Sequence, residues 1–254
     1  MNKLSVVIIV LNEADNLAPL LEALSWADEV LVVDSGSTDG SQQICAGHAN
    51  CRVIEQPFLG YGRQKRFGVE QARHDWILSV DADEFPDREM QGATRKLLQD
   101  GFGDRAGYYL SRRLSFLGRE FRHGKESGHR ILRLFDRRKG NYTAAVVHEK
   151  VEVTGTVDDL PGRLIHKSYR DLDDYFRKFN QYTSLMAKQM HDAGKRTGRL
   201  GIVLRPPWVF FQYYLLRGNF LNGFAGFVYA LLTSHYKTVK YLKLYELSMQ
   251  EEPG

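Results

Sequence analysis

The sequence predicts an α/β protein with a mixed sheet and a helical carboxyl-terminal region, and three observations carry that expectation. Within the first eighty residues an apolar run rich in Val and Ile, a polar turn and a segment of helical spacing recur four times. Beyond about residue 86 this alternation gives way to extended segments, GYYLSRR, ILRLFD and EKVEV. From Leu172 onward helical spacing dominates. At 254 residues, 43% hydrophobic and 26% charged, the chain can bury a full core, which excludes a disordered polypeptide. Its two cysteines, Cys45 and Cys51, are too few for a disulfide framework or a zinc site and fit a reducing cytoplasm.

In order, Ser5–Val10 reads as a buried strand, since its apolar run stops at Asn12 and Glu13 without the cleavage site of a secretory signal. Leu17, Leu20, Leu21 and Leu24 follow at helical spacing. Glu29–Val33 is the second strand, ending in Asp34 and the turn SGSTDG before a helix over Ser41–Ala46. Arg52–Glu55, the loop FLGYG and a helix over Arg63–Ala72 make the third unit. Trp76–Val80 is the fourth strand and runs directly into DADE, after which a helix extends to about Gln99. Strand and helix alternating in this way imply parallel strands covered on both faces. Leu172, Phe176, Phe179, Tyr182, Met186 and Met190 give an amphipathic helix over Leu172–Met190. The expected organisation is a domain over 1–170, with a donor half at 4–90 and an acceptor half at 91–170, and a helical region over 171–254.

Open sheets of this kind bind ligands outside the carboxyl ends of their strands. Those ends carry Asn12 and Glu13, then Asp34 to Asp39, then Asp81, Asp83 and Glu84. Asp81 and Asp83 alternate at a strand end, which would aim two hard oxygen ligands to one side, a pattern suited to Mg2+ or Mn2+ shared with substrate phosphates. A lone DxD is weak, because Asp serves turns and caps equally well. The DSGSTDGS segment has the rival reading of an Asx turn leading into a cap at Ser41. Neither G-x-G-x-x-G nor a P-loop occurs at a strand end, so dinucleotide-binding and P-loop readings lose their support.

Taken together, VVIIVLNEADNL, VVDSGSTDGS and WILSVDADE resemble, in order and spacing, the nucleotide-sugar half of family 2 glycosyltransferases over residues 4 to about 90. The resemblance implies the GT-A fold, Rossmann-like with a mixed sheet, together with a nucleoside-diphosphate sugar donor, a divalent metal and inversion at the anomeric carbon. It implies that Asn12, Glu13, Asp34 and Asp39 lie by the base and ribose and that Asp81 and Asp83 lie by ribose and metal. Arg63 and Lys65 match the region that reaches the donor phosphates. Past residue 110, RLFDRRKGNYTAAVVHEKV, LIHKSYRDLDDYFRKFNQYT and KYLKLYEL resemble bacterial enzymes that add glucose to the inner-core heptose of lipopolysaccharide. That likeness implies UDP-glucose as donor and an anionic glycolipid as acceptor. One departure stands out: HGKESGHRILRLF replaces the Gly-Gly-Trp-Tyr-Pro-Asp-like run of that group.

Single-displacement inversion needs a base, and Glu149 in VVHEKV is the candidate; an exposed surface Glu is the rival reading. His148 is a candidate third metal ligand or phosphate contact, as is His166, although for either alone a satisfied structural histidine is the better reading. Between Arg112 and Lys139 ten Lys or Arg face three acids, an excess that attracts anionic partners. No recognised nucleic-acid module accompanies it. The apolar stretch 206–232 is interrupted by Arg217, Asn219 and Asn222, so it suits a helix lying on a membrane surface, or one packed on the domain, better than a span. The expected location is the cytoplasmic face of the inner membrane. Two other functions fit the same sequence: a transferase using a polyprenyl phosphate acceptor, and a catalytically silent membrane-associated binding protein.

Overall fold

The computed structural model describes residues 2–143, 149–169 and 171–251, so His148 lies outside the described residues. The chain divides into two compact units, Met1–Arg113 with His129–His166, and Leu114–Gly128 with Lys167–Gly254. The boundary after His166 and the transfer of 114–128 to the helical unit differ from the division expected at residue 170. Residues 114–128 are tied to the helical unit by Phe116 and Phe121 packing with Ala225 and by Asn222, whose buried side chain accepts from the backbone N–H of Arg122 at 3.0 Å and of His123 at 3.2 Å.

In the first unit β1 (Leu4–Val10), β2 (Glu29–Asp34), β3 (Cys51–Glu55) and β4 (Trp76–Asp81) form a parallel array in the order β3-β2-β1-β4. The sheet continues through β8 (His129–Asp136), β6 (Gly107–Phe116), β11 (Val157–His166) and β5 (Glu84–Pro86). β8 runs antiparallel to both β4 and β6, and β5 antiparallel to β11, so the sheet is mixed as expected. β9 (Gly140–Tyr142) and β10 (Val151–Val153) form a separate antiparallel pair, and β7 (Arg119–Glu120) pairs with the 115–116 end of β6.

Strand alternation explains the two cores. Leu4, Val6, Ile8 and Val10 pack with Leu17, Leu20 and Leu21 of α1 (Ala14–Ala23), whereas Val7 packs with Leu31, Val33 and Val69 on the opposite face. Val69 belongs to α3 (Tyr61–Gln71), which follows α2 (Ser41–Ala46) in the chain. Each fully buried Leu, Ile or Val contributes about 1.5–3 kcal/mol. Both faces of β1 are therefore load-sharing walls, which fixes the carboxyl ends of β1, β2 and β4 at one edge.

β11 was not expected from the sequence. Asp158, Asp159, Pro161 and Gly162 break its apolar alternation, but Asp158 pairs with Arg105 at 2.9 Å and Asp159 with Arg130 at 2.6 Å. Gly162 has φ +90°, and a Cβ there would stand 2.1 Å from the Met90 nitrogen of α4 (Arg88–Asp100), so only glycine permits that approach.

The second unit contains α5 (Leu172–Asp192), α6 (Arg199–Phe211) and α7 (Gly223–Glu251), with a π turn at Gln212–Leu216 and a 3₁₀ turn at Asn219–Asn222. Asp171 caps α5 by accepting from the Asp174 N–H at 2.7 Å. The helix is where the sequence reading places it, but its buried face shares only Phe179 with the expected stripe. Tyr175, Phe179, Thr183 and Ala187 are buried, while Leu172, Phe176, Tyr182 and Met186 are exposed. Ring contacts select this face: Phe179 stacks on His235 at 5.1 Å and Tyr175 meets Tyr169 edge-on at 4.9 Å.

Candidate active site

The ends of β1 and β2 are laced into one loop system. Asn12, in the left-handed region at φ 57°, accepts from the Thr38 N–H at 2.8 Å through its Oδ1 and donates its own backbone N–H to Ser37 Oγ at 2.9 Å. Asp34, the last residue of β2 and buried, accepts from the Ser37 N–H and from Gln42 Nε2 at 2.7 Å, with a further short contact to Ser37 Oγ. Burial pushes its carboxyl up, but the hydrogen bonds from Gln42 and Ser37 win and hold it below the usual range. Asp39 accepts from the Ala14 N–H at 2.9 Å and from Ser41 Oγ at 2.6 Å, and Glu13 accepts from Asn16 Nδ2 at 2.8 Å. Gly36 (φ 97°) and Gly40 (φ 93°) supply the turns this lacing requires. The carboxylates of Asp34 and Asp39 thus shape the loop.

At the end of β4, Asp81 Oδ1 lies 2.7 Å from Lys65 Nζ and Oδ2 lies 3.0 Å from Arg133 Nη2. Lys65 is buried on α3 and stands 3.6 Å from Glu149 Oε1 as well. Arg63, two residues earlier and so about half a turn away, is exposed. Arg133 donates also to Tyr142 Oη at 2.5 Å, and Tyr142 in turn donates to Ser79 Oγ at 2.8 Å. Glu84, fully buried, accepts from the Asp81 N–H at 3.0 Å and from Arg112 at 3.3 Å. Burial would raise the Asp81 carboxyl, yet Arg133 and Lys65 outweigh it and hold the group well below its ordinary value. For Lys65, burial and the nearby Arg133 push the ammonium down, and Asp81 and Tyr142 more than offset them, so it stays charged.

Asp83 has a different partner, His166 Nε2 on β11 at 3.2 Å. The chain turns at Ala82–Asp83 between β4 and β5, so the strand alternation expected to aim Asp81 and Asp83 together stops at Asp81. Among the described residues no three of His, Cys, Asp and Glu are placed to hold a metal ion. The donor set nonetheless fits Mg2+ or Mn2+: such ions take one or two carboxylates and complete their shell with water and substrate phosphates, and Asp83 beside His166 offers one oxygen and one nitrogen. Both oxygens of Asp81 face cations.

Arg133, Tyr142, Arg112 and Ser79 escaped the sequence reading. Arg133 did leave a signal, because in RILRLFD it shares a strand face with the buried Phe135, and a charge on a core face needs a partner there. The basic excess over 112–139 also reads differently in three dimensions. Arg112, Arg130, Arg133, Arg137, Arg138 and Lys139 bind Glu84, Asp159, Asp81, the Ala72 carbonyl, Asp136 and the Asp104 carbonyl respectively, so they hold the first unit together.

A family model described as glycosyl transferase family 2 matches residues 5–150, which contain all of these side chains except Asp159 and His166. The chain belongs to glycosyl transferase family 2. Among its family 2 relatives, the lipopolysaccharide core biosynthesis glycosyltransferase LpsC of Rhizobium meliloti is 31% identical over 249 residues, covering 96% of this chain and 92% of that protein. An uncharacterized glycosyltransferase of Rickettsia prowazekii, RP128, is 27% identical over 263 residues, covering 99% and 90%. The mannosyltransferase PcManGT of Pyrobaculum calidifontis, solved with GDP-Man and Mn2+, aligns at a TM-score of 0.52 with 14% identity over 98% of this chain and 88% of that one. The family 2 transferase therefore has the GT-A fold followed by a helical region.

Proposed function

We propose that this transferase moves a hexose, glucose from UDP-glucose, onto a lipopolysaccharide core or related anionic glycolipid at the cytoplasmic face of the inner membrane, with inversion at the anomeric carbon. The observation that carries the reading is the position of Lys65, whose ammonium reaches both Asp81 at the strand end and Glu149. One buried cation thus links the donor edge to a carboxylate able to serve as base. The relative from Rhizobium meliloti supports the acceptor class through its name, and the mannosyltransferase, which shares the fold, was solved with a nucleotide sugar and Mn2+.

In this reading the loops held by Asn12, Glu13, Asp34 and Asp39 receive base and ribose, and Arg63 and Lys65 face the diphosphate. Asp83, with Asp81 and with either His148 or His166, would hold Mg2+ or Mn2+, which supplies Lewis-acid compensation for the departing diphosphate charge. Glu149 takes the proton of the acceptor hydroxyl as the carbon–oxygen bond forms, and Lys65 orients that carboxylate. Arg133 and Tyr142 keep Lys65 and Asp81 in register, so the cationic wall is set before substrate enters.

The test is transfer from UDP-glucose to lipopolysaccharide core lacking its glucose, with Mn2+ and with EDTA, reading the product anomer by NMR. Metal-dependent formation of the β-glucoside is expected, and Asp83→Ala should lose metal-dependent donor binding while keeping its melting temperature. Turnover of another nucleotide sugar with UDP-glucose idle would overturn the donor, an α-product the inversion, and full activity of Asp83→Ala in EDTA the metal.

A further inference from the structure

In the helical unit a cavity of 670 Å³ is lined by Arg119, Glu120, Arg122, His123, Leu221 and Asn222. We infer that it binds the phosphate-bearing headgroup of an anionic lipid within the bilayer. The inference rests on the proposed action at a lipid surface and adds a defined receptor to it.

The walls are built rather than incidental. Asn222 is 2% exposed, and besides accepting from the N–H groups of Arg122 and His123 it donates to the His123 carbonyl at 3.0 Å. A Cβ on Gly124 would stand 2.5 Å from the Arg217 carbonyl, so this stretch lies against the turn before α7 at glycine distance. The Arg119 guanidinium lies 3.6 Å from where a Cβ on Gly223 would be. Unlike the six basic residues tied up in the first unit, Arg119 and Arg122 make no side-chain hydrogen bond or ion pair among the described residues, whereas Glu120 has its own partner. Two exposed guanidinium forks and an imidazole around one cavity match the oxygens of a phosphate, which guanidinium groups bind bidentately.

The rim argues for a lipid. Leu221 lines the cavity and is 53% exposed, and Leu117, next in sequence to the lining Gly118, and Phe220 and Phe224, next to or near the lining Leu221 and Asn222, are 48%, 45% and 76% exposed. Leu117 occupies the left-handed region at φ 50°, followed by Gly118 at φ 70°. A bulky side chain held there is strained, and glycine would relieve it, so the hairpin tip keeps an exposed apolar side chain at a backbone cost. A soluble sugar phosphate has no use for such a rim. A headgroup whose acyl chains remain in the bilayer brings the apolar phase to it.

The experiment uses the full chain with vesicles of phosphatidylcholine alone, with phosphatidylglycerol, or with phosphatidic acid, and glycerol phosphate as soluble competitor. Arg119→Gln/Arg122→Gln is compared with the charge-matched Lys96→Gln/Lys188→Gln, at exposed positions remote in sequence from the cavity. Wild type should bind phosphatidic acid vesicles most tightly, and the arginine pair should weaken that binding about tenfold or more with an unchanged melting curve, while the control pair weakens it much less. Equal losses in the two double variants would overturn the site and leave the membrane reading standing. Failure of wild type to bind any anionic vesicle would overturn both. Binding of glycerol phosphate without vesicle binding would assign the cavity to a soluble phosphate and overturn the lipid.

Discussion

At the carboxyl end of β4 one buried ammonium serves two carboxylates, and replacing either carboxylate isolates a different role. Glu149→Gln keeps the shape beside Lys65 but cannot accept a proton, so donor affinity should hold while turnover falls by about 10²- to 10⁴-fold. Unchanged turnover would overturn Glu149 as the base. Asp81→Asn instead leaves Lys65 and Arg133 side by side, and the expected loss at neutral pH is on the order of 2–3 kcal/mol, below that of a fully buried pair because Asp81 is 27% exposed. The Asp81 carboxyl is held low in the folded state, so its contribution is complete above the unfolded value of about 4 and is lost as pH falls through the folded value. Urea titrations should therefore show a gap between wild type and Asp81→Asn that is constant from neutral pH to about pH 5 and narrows in stronger acid. A gap that widens in acid would contradict the ion-pair account. Asp34 and Asp81 were legible in the sequence because each directly follows an apolar run, and Asp39 because it closes the Gly- and Ser-containing turn after the second run. Tyr142 and Ser79 were not, since their bond spans 63 positions and nothing in either neighbourhood points to the other.

Helix α3 delivers Lys65 to that network, and Gly68 governs how closely it can lie on β1 and β2. Alanine in an exposed helix interior is usually better than glycine by about 1 kcal/mol. Here an added Cβ would meet Val7 Cγ1 at 2.5 Å and Val33 Cγ2 at 3.0 Å, both on stiff β-branched side chains, and overpacking of that kind costs about 1–3 kcal/mol. The clash should win: Gly68→Ala should melt about 2–4 °C lower and lose activity, because α3 must lift and take Lys65 with it. A raised melting point would show that the helix slides freely. The parallel half of the sheet was readable because its strands are buried on both faces and show as continuous Val and Ile runs. β11 was hidden by Pro161, Gly162 and two aspartates whose arginine partners lie 29 and 53 positions away. The spacing announced α5 and its buried Phe179 correctly but not the rest of the stripe, because Leu172 and Phe176 are as apolar as the Tyr175 that the ring contacts selected.

A net charge of +4 and a row of exposed apolar side chains bear on where the whole protein works. Along α6 and the π turn, Leu200, Val203, Leu204, Trp208, Phe211 and Leu215 are 72%, 67%, 55%, 59%, 42% and 47% exposed at spacings of one helical face. No helix among the described residues is long and apolar enough to cross a membrane. Cations accompany this face: Arg205 lies 3.4 Å from the Tyr241 ring centre with its buried Nε unbonded, and burial together with Lys237, Arg205 and Lys195 pushes the Lys240 ammonium down. Four like charges gathered this way repel one another, and an anionic surface relieves the repulsion. Each basic group near such a surface contributes about 1 kcal/mol, and salt screens it within about 10 Å at ordinary ionic strength. Binding to anionic vesicles should therefore weaken as salt rises, and protein in native membranes should be released by alkaline carbonate. Leu204→Ser/Trp208→Ser should weaken binding at every salt concentration, because it removes apolar area rather than charge. Retention after carbonate would mean integral insertion. Vesicle binding indifferent to both salt and the apolar pair would make α6 an ordinary surface helix.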